Sequence, residues 1–268
     1  MTPAATVEAG GLALAYDDSG GGPPVVLVHG TATARTVWRE TTEALAAEPG
    51  TARTIAYDRR AYGDSGAPEP YGGTTVGEQT DDLAELIEAL NAAPAAVCGH
   101  ELGALAALDL AVRRPELVTR AVLIEPPMLW LVAAGTDAVG ALREAVAGAA
   151  RERGSAGAVR AYLEAVGGPD VAELLGPQRL EAAEASPRAF AADLAAAASW
   201  TGGRKELRAL EAPITLVSGS RSSRVRREAA EALAAMVPGS ALETVESGHF
   251  AHLEQPAEIA AAIRGGGV

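Results

Sequence analysis

The sequence predicts an α/β protein whose sheet is mostly parallel and covered by helices on both faces. Short β-branched or aliphatic runs recur along the 268 residues, most of them continuously apolar: VVLV at 25–28, TIAY at 54–57, AAVC at 95–98, AVLI at 121–124, ITLV at 214–217 and ALETV at 241–245. Strands that are apolar at every position, rather than at alternate ones, are buried on both faces. Helical patterns separate these runs, and strand–helix alternation is the mark of parallel βαβ units. The length sits at the upper end for one domain, so one domain with an insertion is expected.

Taken in order, LALAYDD near the N-terminus reads as an antiparallel edge hairpin. In TVGEQTDDLAELIEALN, Thr75 and Glu78 can form a capping box, and Leu83, Leu86, Ile87 and Leu90 share one stripe of a helix. The stretch AAVCGHELGALAAL, 95–108, reads as strand, tight turn and helix, and the helix stops before Pro115. About ninety residues of Ala-rich helical pattern, punctuated by Gly and Pro, separate the runs at 121–124 and 214–217, with no strand signal among them. QPAEIAAAIRGGG opens a last helix with Pro256 in its first turn and closes it with glycines.

A formal charge of −13 opposes phosphate backbones and anionic membranes, which leaves a small-molecule substrate or a protein as partner. Cys98 is the one cysteine, so no internal disulfide asks for an oxidising compartment. The start MTPAATVEAGG lacks a basic stretch followed by an apolar one, and no run approaches a membrane span, so a cytoplasmic protein is expected. No metal-ligand spacing and no cofactor motif is present, and a monomer or homodimer suits the chain equally.

Four segments resemble the α/β-hydrolase superfamily, in its order. PPVVLVHGTATARTVW resembles the strand, oxyanion loop and first helix; YDRRAYGDSG the loop after the next strand; GHELG the nucleophile elbow, where G-x-S-x-G is usual; and VESGHFAHLEQPAEIAAAI the histidine loop and last helix. The resemblance implies an α/β-hydrolase fold with an eight-stranded sheet, a core over 1–126 and 212–268, and a helical cap over 127–211. It implies a pocket at the carboxyl ends of the strands beneath that cap. By position, the backbone N–H groups of Thr31 and Leu102 would form the oxyanion hole, and His249 would be the general base. Trp130, Tyr162 and Trp200 of the insert are expected to line the pocket, unless such rings merely hold the insert's helices together.

Two positions depart from the serine pattern. Glu101 stands at the serine's station, where it arrives ionised, helped by the dipole of the following helix. The loop after the seventh strand, VSGSRSSRVRREA, carries no carboxylate from Ser218 to Arg227, where the family places its acid; Ser222 or Ser223 occupies that place, and Glu125, at the end of the sixth strand, is the substitute candidate. His29, Asp58 and Trp38 read as structural, His100 as filler of the elbow, His252 as a solvent-facing or packing residue, and Cys98 as a small buried hydrophobe.

Three chemistries fit these residues. Glu101 attacks an electrophilic carbon and His249 activates water to hydrolyse the ester; or Glu101 and His249 act as base and acid in a cyclisation, elimination, isomerisation or hydration; or Glu101 fills the oxyanion hole and the cavity only binds a ligand. The expectation adopted is a cofactor-independent hydrolase-type enzyme acting on a small organic substrate of the secondary-metabolite kind. Its catalytic residues would be Glu101, His249 and Glu125, with a non-hydrolytic cyclase, lyase or isomerase, or an inactive ligand-binding protein, as the alternatives.

Overall fold

The computed structural model describes residues 4–48, 50 and 52–265, so Met1–Pro3 of the N-terminal segment and the final two glycines of the C-terminal stop lie outside it. Eight strands form one sheet: β1 (Ala5–Ala9), β2 (Leu12–Gly21), β3 (Pro24–Val28), β4 (Ala52–Tyr57), β5 (Ala95–His100), β6 (Val118–Ile124), β7 (Ile214–Gly219) and β8 (Ala241–Val245), in the order β1-β2-β4-β3-β5-β6-β7-β8. β1 and β2 pair antiparallel with each other, β2 pairs antiparallel with β4, and every later pair is parallel. The predicted hairpin is there, with β1 rather than β2 at the sheet's edge.

The helices are α1 (Arg39–Ala46), α2 (Val76–Ala89), α3 (Leu102–Arg113), α4 (Gly135–Gly167), α5 (Val171–Glu184), α6 (Pro187–Ala196), α7 (Arg204–Arg208), α8 (Arg224–Ala234), α9 (Ala251–Glu254) and α10 (Pro256–Arg264). The capping box of α2 forms in both directions between Thr75 and Glu78. Helix α10 starts on Pro256 and ends on Gly265 at φ 86°, a left-handed stop that glycine adopts without strain.

Strand pleating explains the continuous apolar runs. Val26 and Val28 of β3 pack into one cluster with Leu83, Leu86 and Ile87 of α2 and Leu105 and Leu108 of α3. Val25 and Leu27 point the other way, into a cluster with Trp38, Leu45, Ile259 and Ile263. Successive residues thus serve opposite layers, and burying each large side chain contributes about 1.5–3 kcal/mol.

Helices α4 to α7 fill the segment between β6 and β7. Helix α4 breaks at Gly154 (φ 71°), so its second half turns Val159, Tyr162 and Leu163 inward. Among the described residues, no helix is long and apolar enough to cross a membrane, and no three His, Cys, Asp or Glu side chains are grouped to hold a metal.

Candidate active site

The site starts where β5 turns into α3. A Cβ on Gly99 would sit 2.2 Å from the carbonyl oxygen of Gly103, and one on Gly103 would sit 2.2 Å from that of Val28. Only glycines at both ends of GHELG let the helix start this close to the sheet. The bend places Glu101 at φ 53°, ψ −117°, a conformation that costs a non-glycine residue about 1–3 kcal/mol. Its N–H donates to the Ile124 carbonyl at 2.9 Å, which ties the bend to β6.

The two carboxylate oxygens of Glu101 have different surroundings. Oε2 accepts three hydrogen bonds: from the Leu102 N–H at 2.5 Å, the Thr31 N–H at 3.2 Å and the Thr31 hydroxyl at 2.7 Å. Oε1 accepts one, from the Tyr162 phenol at 3.2 Å. The N–H groups of Thr31 and Leu102, expected to form an oxyanion hole, both donate to this one side-chain oxygen. Burial, and then the charge of Glu101, raises the Tyr162 pKa well above its ordinary value, so the phenol stays protonated as a donor.

His249 follows β8 and is buried, with Nδ1 3.4 Å from Oε2 of Glu125. Glu125 ends β6 at φ 52°, and its Oε1 accepts from the Gly219 N–H at 2.9 Å and the Ser218 hydroxyl at 3.4 Å, both at the end of β7. Burial raises its pKa, against the opposing effects of Arg226 and the Gly219 N–H. Burial, then Arg226 and His252, lowers the His249 pKa well below its ordinary value, so the imidazole is neutral. A proton on Nδ1 serves the Glu125 carboxylate and leaves Nε2 as an acceptor. Among the described residues, no hydrogen bond or ion pair joins Glu101 to His249. They are neighbours through His100, whose Nε2 lies 3.0 Å from the His249 carbonyl oxygen and whose ring centroid lies 4.6 Å from that of His249.

A cavity of about 400 Å³ opens between sheet and insert, lined by Thr31, Glu101, Leu129, Trp130, Tyr162 and Arg226 among others. His249 is not on its wall. Trp130, 47% exposed, lies at the cavity. Trp200 departs from the expectation that it lines the pocket: its indole N–H donates to Asp109 of α3 at 2.9 Å and its ring packs on the core, so it braces the insert instead. Phe190 does the same kind of work, edge-on to Tyr162 at 5.4 Å.

The residues read as structural have structural partners. Asp58 accepts from the Arg35 and Asp64 N–H groups, and His29 takes the Arg59 N–H on Nε2 at 2.9 Å. His252 is fully buried against Trp38 rather than solvent-facing, and neither of its ring nitrogens has a hydrogen-bond partner. Ser222 is buried and Ser223 caps α8.

Two cavity residues have no sequence signal that singles them out. Asp193 lies in an Ala-rich stretch, yet it forms a fully buried ion pair with Arg59 at 2.5 Å and accepts from the Tyr62 hydroxyl at 2.8 Å. Arg59 in turn donates to the carbonyls of His29 and Gly30, so the pair joins α6 to the loop that carries Thr31. Arg226 stands in a basic run that reads as a solvated helix start.

A sequence model described as "Alpha/beta hydrolase family" matches residues 25–262. A protein of Mycobacterium tuberculosis (strain H37Rv), bearing the provisional name non-heme bromoperoxidase BpoC, is 42% identical over 113 residues, 41% of this chain and 41% of that protein. A protein of Caballeronia sordidicola named epoxide hydrolase is 34% identical over 110 residues, 41% of this chain and 33% of that protein. The chain thus spans well under half the length of these curated relatives. The solved structure of a thermophilic esterase from Thermogutta terrifontis, with malate bound, superposes with a TM-score of 0.79 at 26% identity, covering 98% of this chain and 97% of that one.

Proposed function

Because the chain belongs to the alpha/beta hydrolase family, we propose that it is a cofactor-independent hydrolase in which Glu101 attacks an electrophilic carbon of a small organic substrate. Oε1 forms the new bond to carbon, and the leaving atom departs with the bonding electrons. Where that atom is an oxygen, the Tyr162 phenol is the donor beside it. His249 Nε2 then takes a proton from water, whose oxygen attacks the Glu101 carboxyl carbon, and the negative charge grows on Oε2 between Thr31 and Leu102. Collapse breaks the bond from the carboxyl carbon to Oε1, and the product leaves with that oxygen, which takes the proton from His249 Nε2 and restores the neutral imidazole.

The observation that carries this reading is the division of labour within one carboxylate: Oε2 is held by three donors where an oxyanion needs them, and Oε1 has one donor at the cavity. Preorganised donors at the site of developing charge are often the largest contribution to catalysis. A neutral His249 beside Glu125 supports water activation and speaks against the base-and-acid pairing, which needs an imidazolium. The relative named epoxide hydrolase makes small epoxides the first substrates to try.

A ligand-binding protein without turnover is the second reading, favoured by the filled oxyanion hole. One experiment separates the two. After a single turnover of an epoxide in heavy-oxygen water, mass spectrometry is expected to find the label in the Glu101 side chain, with Glu101→Gln inactive. An unlabelled Glu101 in a turning-over protein excludes the nucleophile. No turnover of any tightly bound ligand favours the binding module.

A further inference from the structure

Arg226 stands at the cavity without a hydrogen-bonded acidic partner, although its charge acts on the nearby Glu125. It sits in the first turn of α8 and shares the cavity wall with Thr31, Glu101 and Tyr162. Its Nη1 is buried without a hydrogen-bond partner, and among the described residues no carboxylate pairs with its guanidinium. The buried arginines Arg59 and Arg60, by contrast, each hold an acidic partner. A buried unpaired donor on a charged group is costly and calls for an explanation, and at a cavity wall a ligand oxygen can supply the missing bond.

The surroundings narrow the ligand. Most of the cavity wall is apolar, including Leu129, Leu142 and Leu194, and about 400 Å³ suits a small molecule. The overall negative charge disfavours a polyanion. A guanidinium offers a planar fork that matches a carboxylate with two parallel hydrogen bonds. The loop after β7 lacks the expected carboxylate from Ser218 to Arg227, and this cation belongs to the same stretch.

We propose that Arg226 binds a carboxylate on the substrate, so that the protein acts on small organic acids with an apolar body. The proposal rests on the reading that this cavity is the substrate site. It does not require that Glu101 form an ester. With the acid seated at Arg226, the apolar body of the substrate lies along Leu129, Leu142 and Leu194, and its electrophilic carbon is left for Glu101.

The test is a binding measurement, which keeps it separate from the chemistry of Glu101. Butanoate, hexanoate and phenylacetate are titrated against their neutral amides by calorimetry, using the wild-type protein and the Arg226→Gln, Arg226→Lys and Arg227→Gln variants. Circular dichroism checks each variant's fold. At least one carboxylate is expected to bind about tenfold or more tightly than its amide. Arg226→Gln should erase that preference, Arg226→Lys should keep part of it, and Arg227→Gln, which changes an exposed neighbouring arginine away from the cavity wall, should leave it intact. Should Arg226→Gln not fold, the same comparison in Arg226→Lys decides, since an ammonium loses the paired bonds but keeps the charge. Equal or absent binding of acids and amides overturns the proposal, as does a preference that survives in Arg226→Gln or disappears in Arg227→Gln. A failed label experiment at Glu101 alongside a retained acid preference would overturn the nucleophile and not the acid site.

Discussion

Thr31 holds Glu101 twice: its backbone N–H and its hydroxyl both donate to the same oxygen, Oε2, at 3.2 and 2.7 Å. A serine hydrolase of this fold needs only the N–H at that station, because its oxyanion belongs to the substrate. Here the hydroxyl helps to fix Oε2 toward Thr31, which leaves Oε1 toward Tyr162.

Thr31→Val keeps the branch and the N–H but removes the hydroxyl. Losing a hydrogen bond to a charged group is worth about 1.5–3 kcal/mol, so kcat is expected to fall about tenfold to a hundredfold with KM little changed. Thr31→Ser should retain most activity. Steady-state kinetics of the two variants check this; an undiminished Thr31→Val would show that the hydroxyl is irrelevant.

The ion pair of Asp193 and Arg59 has no solvent access on either side. Asp193→Asn strands the Arg59 charge, which typically costs about 3–5 kcal/mol. The double change of Arg59→Met with Asp193→Leu should cost less than Asp193→Asn alone, because no charge is left unpaired. Urea unfolding of the three proteins measures the difference.

Acid should weaken the fold. His29, His100, His249 and His252 all have pKa values lowered by burial, so they are neutral when folded, while the unfolded chain protonates below about pH 6.5. Each therefore contributes stability that is fully present above that pH and is lost as pH falls through the window below it, at up to about 1.4 kcal/mol per pH unit. Asp58, Asp82 and Glu125, raised by burial, act in the opposite sense at lower pH, since the folded state takes up their protons first. His252→Phe isolates the histidine contribution. It removes two unpartnered buried nitrogens beside Trp38, so it should raise Tm and flatten the decline between about pH 5 and 6.5 in thermal melts. An unchanged slope would show that His252 protonates equally in both states.

Much of the molecule was legible in the chain. Continuous apolar runs identified the five strands β3 to β7 because residues facing both layers must be apolar, whereas β8, mostly exposed, offers no such run; the Thr75–Glu78 capping box marked α2 because it is built from residues three apart. Glu101 at the elbow and His249 after β8 stood out for the same reason: a local turn needs glycines at fixed spacing, and these residues sit at known places relative to them.

Properties that depend on residues far apart in the chain were decided only by folding. No spacing tells that Trp200 would reach back ninety-one residues to Asp109, that Asp193 would neutralise Arg59, or that Nη1 of Arg226 would be buried without a hydrogen-bond partner. Short-range patterns are set by backbone geometry, which repeats every two or 3.6 residues and can be read from one strand or helix. Charge pairing and cavity shape depend on which surfaces meet when the insert settles on the sheet, and that is fixed by burial summed over the whole chain.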